Sequence, residues 1–114
     1  MSVKKWMPIW IGDYLASTCH LTTQQHGAYL LLLMHYWNTQ KPLPDLDCTL
    51  ALIARLPEKA WKKERPALEA LFLLIDGKWR DPALEREIEK AAALSAKRQK
   101  LGKIGAKKRW KGAS

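Results

Sequence analysis

Of the twenty Lys and Arg residues in this 114-residue chain, eight lie between Lys97 and Lys111, in a stretch without one Asp or Glu. Residues 1–96 carry twelve basic and eleven acidic groups, so the formal charge of +9 divides into about +1 on a body and +8 on a short tail. A run so cationic repels itself and has little apolar surface to dock, so a core has to come from residues 1–96. The chain therefore reads as one domain over residues 1–96 and a basic tail over 97–114, either a helical extension or disordered. A near-neutral body with a cationic tail suits a polyanionic partner.

The apolar content of 47% is that of a folded domain. The longest apolar run, Ala28–Met34, is far shorter than the ~20 residues of a membrane helix, so no membrane partner is predicted. Lys4 and Lys5 are followed by no long apolar region, which argues against a secretory leader. Cys19 and Cys48 then read as reduced thiols of a cytoplasmic protein rather than a disulfide framework. Six tryptophans are expected to serve mostly as core or interface anchors.

Met7–Ile11, apolar and bounded by Pro8 and Gly12, reads as a short strand, and Asp13 as the cap of one helical turn through Ser17. Thr22 and Gln25 make a capping-box pattern for a central helix, Gln24–Asn38, apolar around nearly its whole circumference. Lys41–Asp45 reads as a loop because Pro42 and Pro44 break regular structure. Asp47 is placed to cap a helix over Cys48–Arg55 with Leu50, Ile53 and Ala54 inward, although the alternation Leu46, Cys48, Leu50, Leu52 also fits a strand. Pro57 suits the first position of the next helix. On it Trp61, Arg65 (through its alkyl stem), Leu68 and Phe72 share one face, with Lys59, Lys62, Lys63 and Pro66 opposite. Pro66 is expected to kink or split this helix and to push Arg65 from helical angles. Asp76-Gly77 between Phe72–Ile75 and Lys78–Asp81 predicts a two-residue hairpin. Asp81 and Pro82 then cap and open a last helix, with Leu84, Ile88, Ala91, Ala92 and Ser95 as its inner stripe and Glu85, Glu87 and Glu89 near its positive end.

The fold class is thus mainly α with a small β-hairpin (α+β), in the element order of a winged-helix domain with a C-terminal helix and a basic tail. The two helices meeting at Leu56-Pro57 read as a helix-turn-helix, whose second helix would present Lys59, Lys62 and Lys63 to a DNA groove. The hairpin would be the wing, offering Lys78 and Arg80 to phosphates. Lys97, Arg98, Lys100, Lys103, Lys107, Lys108, Arg109 and Lys111 would grip further phosphates. Trp110 among them could stack on a base or pack on a neighbouring subunit.

Trp10-Ile11-Gly12-Asp13-Tyr14-Leu15, His20-Leu21, His26-Gly27-Ala28-Tyr29, Leu32-Leu33 with Tyr36-Trp37, and Pro42-Leu43-Pro44-Asp45 resemble the YdaU-type family of phage and prophage proteins. The likeness continues through Trp61, the Phe72–Trp79 hairpin and the basic end Lys103–Trp110. It implies a winged-helix-like module in phage DNA metabolism, with replication the foremost setting, and phage or host replication proteins as further partners. Many relatives look longer than this chain. The family has no agreed biochemical activity.

Catalytic and metal signals are thin. Cys19, His20, His26, His35 and Cys48 lack the paired short spacings of a zinc site. His26 with Tyr29 reads as a tie between the N-terminal strand and the central helix. Asp45 and Asp47 are explained by capping, and Glu85 and Glu89 by the helix dipole. A P-loop pattern is absent, and Gly102-Lys-Ile-Gly105 lacks the strands that would make it a backbone clamp. No Ser or Cys nucleophile stands beside a readable base. These observations predict a DNA-binding module without catalytic residues, cofactor or metal. The alternatives are a protein-interaction adaptor anchored by Trp6, Trp10 and Trp79, or a dimeric transcriptional regulator.

Overall fold

The computed structural model describes residues 6–113, with side chains described for residues 6–98. Five helices and three short strands follow in the order α1 Ile11–Thr18, α2 Thr23–Thr39, β1 Leu43–Pro44, α3 Asp47–Ala54, α4 Glu58–Glu69, β2 Leu73–Ile75, β3 Lys78–Arg80 and α5 Pro82–Ala113. The class is mainly helical α+β. The strands form one antiparallel sheet in the order β1-β3-β2.

Local chemistry explains the best-defined boundaries. The Gln25 N–H donates to Thr22 Oγ1 at 3.2 Å, and the Thr22 N–H donates to Gln25 Oε1 at 2.8 Å, which closes the capping box of α2. Asp76 and Gly77 both take positive φ, 53° and 69°, which is the primed turn that matches strand twist. Asp81 Oδ1 accepts from the Leu84 N–H at 3.1 Å, capping α5 one residue before Pro82.

Other boundaries differ from the sequence expectation. Met7–Trp10 takes no regular secondary structure and joins no sheet, and α1 begins at Ile11. The third strand is instead Leu43–Pro44, within the segment read as a loop. Leu43 lies opposite Trp79 and is 1% exposed, so its burial draws this segment against β3. Pro44 is tolerated because β1 is an edge strand and needs no donor on its open side. Asp13 lies in the first turn of α1 rather than at its cap, and Trp10 holds the cap position. Asp47 likewise lies inside α3, behind Leu46, and Pro57 precedes α4 as its cap. Pro66 neither splits α4 nor expels Arg65 from it. The carbonyl orphaned by the missing N–H belongs to Lys62, an exposed residue, where water can accept that role. Between α3 and α4 the left-handed position that glycine usually fills is taken by Arg55 at φ 59°.

The core gathers on α2. Ala28, Tyr29, Leu32, Leu33, Tyr36 and Trp37 are buried against α3, α4 and α5, while Met34, His35 and Asn38 remain exposed, so α2 is not enclosed all round as its composition suggests. An aromatic series crosses this core from Tyr14 through Tyr29, Phe72 and Trp79 to Trp61, with successive ring centroids 5.5–5.9 Å apart. The Tyr36 hydroxyl donates to Glu85 Oε1 at 2.8 Å and accepts from the Asp81 N–H at 3.2 Å, which fixes α5 where it leaves the hairpin. Burial raises the Tyr36 pKa well above the usual phenol range and pushes that of Tyr29 up to about 12. On α5, Leu84 and Ile88 are buried and Ala91 and Ser95 half-buried, whereas Ala92, expected inward, is exposed. At 1.5 Å per residue α5 is about 48 Å long.

Candidate nucleic-acid interface

The inward face of α4 carries the densest polar cluster of the described residues. Arg65 Nη1 donates to Asp47 Oδ1 at 2.7 Å, Nη2 to Asp45 Oδ1 at 2.6 Å and Nε to Glu69 Oε2 at 3.2 Å. The same two aspartate oxygens each accept an indole N–H at 3.0 Å, from Trp61 to Asp47 and from Trp79 to Asp45. The Arg65 guanidinium also lies 5.3 Å from the centre of the Trp79 ring. One rigid fork thus joins α4 to the start of α3 and, through Asp45 and the Trp79 indole, to the sheet. Hydrogen bonds from Arg65 first, and from Trp61 second, hold the Asp47 carboxyl below the usual carboxylate range. The capping role expected of Asp45 and Asp47 is therefore replaced by an ion-pair cluster, and Arg65 contributes its charge as well as its stem. Glu85 is similarly engaged, by Tyr36 and by Arg80 Nη1 at 3.2 Å, rather than serving only the helix dipole.

The outward face of α4 contrasts with this cluster. Lys59, Lys62 and Lys63 are all exposed. Lys62 lies 3.7 Å from Glu58 across one turn, a solvated pair of small energetic consequence. Lys59 and Lys63 form no ion pair among the described residues. In the hairpin, Leu73 opposes Arg80 and Ile75 opposes Lys78, while Leu74 opposes the buried Trp79. Strand alternation therefore puts Lys78 and Arg80 together on the outer face of the sheet. Lys78 is exposed and without an ion pair among the described residues, whereas Arg80 is held by Glu85. Among the described residues no hydrogen bond or ion pair links the α4 lysines to Lys78 or Arg80. What joins the two elements is the buried Trp61–Trp79 pair, at 5.8 Å between centroids. Trp79 is 0% exposed and so is a core residue, not the interface anchor expected of it, while Trp6 and Trp10 are largely exposed.

Lys97 and Arg98 are exposed on α5. The side chains of Lys100, Lys103, Lys107, Lys108, Arg109, Trp110 and Lys111 lie outside the described residues, as do Lys4 and Lys5. His26 Nδ1 bonds the Tyr14 hydroxyl at 2.8 Å, so it ties α1 to α2, with Tyr14 rather than Tyr29 as its partner. Cys19 and Cys48 are exposed, and no three metal-ligating residues converge among the described ones. No helix among the described residues is long and apolar enough to cross a membrane.

The profile of a family described as "Protein of unknown function (DUF1376)" matches residues 5–89. The chain belongs to the DUF1376 family. The matched span runs from the segment before α1 into the first turns of α5, so the Arg65 cluster and the α4 face both lie inside the DUF1376 domain. A curated relative, "Uncharacterized protein YdaU" of Escherichia coli (strain K12), is 36% identical over 109 residues, which is 96% of this chain. With 109 of 114 residues aligned, that similarity passes Glu89 and enters the basic segment. The chain spans only 38% of the length of that relative. No solved structure matches the chain.

Proposed function

We propose that this DUF1376 chain is a nucleic-acid-binding module of winged-helix type, acting without catalysis in phage or prophage DNA replication or its control in the cytoplasm. The observation that carries the reading is the local disposal of charge around α4. Asp45, Asp47 and Glu69 are all spent on Arg65, which leaves Glu64 as the one acidic side chain of α4 without an ion pair among the described residues. Lys59 and Lys63 thus stand without an ion pair among the described residues on the solvent side of a helix that follows α3 through a tight turn, so that the α4 face keeps a net positive charge. The order α2, β1, α3, α4, β2, β3, with β3 central in the sheet, supports the winged-helix assignment. The acid-free run of eight cations carried on α5 supplies the second group of phosphate contacts.

In this reading α4 and the hairpin meet the duplex, and the end of α5 reaches neighbouring phosphates or a displaced single strand. If about six phosphates are neutralised, affinity for a short duplex falls roughly a thousandfold between about 50 and 200 mM salt. Fluorescence anisotropy at the two salts tests this, and absent or salt-independent binding defeats it.

A second reading, a protein-interaction adaptor, is favoured by one observation: the exposure of Trp6 and Trp10 on one side of the domain. Reversing Lys59, Lys62 and Lys63 to Glu separates the two. It abolishes duplex binding in the first reading and leaves partner capture intact in the second.

A further inference from the structure

An apolar surface outside the core lies where the segment before α1 meets α2 and α3. A groove of about 740 Å³ opens there between Trp6, Ile9, Met34 and Leu52, with Arg55 at its rim and no Asp or Glu in its lining. Trp6, Ile9, Met34 and Leu52 are 62%, 44%, 50% and 79% exposed. Beside the groove, Trp10 stands 68% exposed at the cap of α1. It shares with Asp13 a second cleft, of about 440 Å³, that meets the first at Ile9. Together these five apolar residues leave on the order of 600 Å² in water, the upper range for a patch on a monomer. With a polar rim added, that area approaches the ~800 Å² per partner of a standard stable interface.

The patch is also self-complementary. It holds a projecting indole next to an acid, and a hollow next to a cation. Neither Asp13 nor Arg55 forms an ion pair among the described residues. A two-fold axis pairs each feature with its complement, because such an interface uses the same surface twice. We propose that this face joins two copies of the chain, Trp10 of each copy filling the groove of the other and Asp13 meeting Arg55 across the axis. Exposed indoles are among the residues that most often anchor interfaces. This inference is independent of the nucleic-acid reading, since it uses none of the cations assigned to phosphate.

Sedimentation equilibrium of the full chain tests it. The proposed dimer is expected to show a mass of twice 13.1 kDa at about 100 µM, a concentration above the micromolar weak end of standard interfaces. Trp10→Lys is expected to yield monomer at that concentration, with a melting temperature equal to that of wild type diluted until it too is monomeric, because Trp10 is outside the core. Asp13→Arg and Arg55→Asp, made singly, are expected to weaken the dimer about tenfold each, and made together to restore it. A wild-type monomer at that concentration overturns the proposal. So does a dimer indifferent to Trp10→Lys, or a charge exchange that fails to restore association. The two charge variants keep the test decisive if Trp10→Lys does not fold.

Discussion

The two faces of α4 use the same kind of side chain for opposite ends. Inward, Arg65 is about one-fifth exposed and meets three carboxylates and an aromatic ring. Outward on the same helix, Lys59 and Lys63 are exposed and form no ion pair among the described residues. A planar fork with fixed donors can satisfy several fixed acceptors at once, whereas an ammonium on a flexible stem holds its charge in water until a ligand arrives. The comparison separates cations that build the domain from cations left for something outside it. It also shows why net charge is a poor guide by itself, since Asp45, Asp47 and Glu69 are consumed within the cluster.

The sharpest way to break this distinction is Arg65→Met. It keeps the length of the stem but leaves two aspartates and a glutamate facing one another, and is expected to cost about 2–3 kcal/mol in urea unfolding, below the full cost of a buried pair because the site is partly wet. A loss under about 0.5 kcal/mol, typical of surface sites, makes the cluster ornamental. Thr22→Ala, which removes the α2 cap far from either face, is expected to cost about 1 kcal/mol and calibrates that scale.

Acid sharpens the comparison from the partner's side. The folded-state pKa of Asp47 lies below its unfolded value, so its contribution is present above the unfolded value of about 3.9 and is lost as pH falls through the folded one. The wild-type urea midpoint is therefore expected to drop on acidification below about pH 4, and to drop less in Asp47→Asn. The smallest stability effect belongs to the outer face: replacing Lys59, Lys62 and Lys63 together by Gln is expected to move unfolding by no more than about 0.5 kcal/mol.

Much of the fold was legible in the sequence where the deciding interaction is local. The Thr22–Gln25 box, the Asp76-Gly77 turn and the Asp81-Pro82 start of α5 each depend on residues within a few positions. The misreadings share a different cause. Leu43–Pro44 becomes a strand only because Trp79, far along the chain, offers it a partner, and Met7–Ile11 has the right composition but no such partner. Asp45 and Asp47 look like caps until Arg65, twenty and eighteen residues later, is brought against them. Trp79 looks like an anchor for a partner until the register of β3 turns it inward. Of the candidate site, the exposed lysine face was legible from helical periodicity, because solvent exposure needs no distant partner. The groove beside Trp10 was not, since it is assembled from three separated segments.

The division of the cations is tested most directly by the salt dependence of duplex affinity in wild type and in the triple Lys59, Lys62, Lys63→Gln variant, followed by anisotropy alongside unfolding. The expected result is steep salt dependence in wild type, and in the variant weaker binding with a log–log slope shallower by about 2–3, at an unchanged unfolding midpoint. Equal slopes for the two proteins, or a variant that loses its fold together with its affinity, would contradict it.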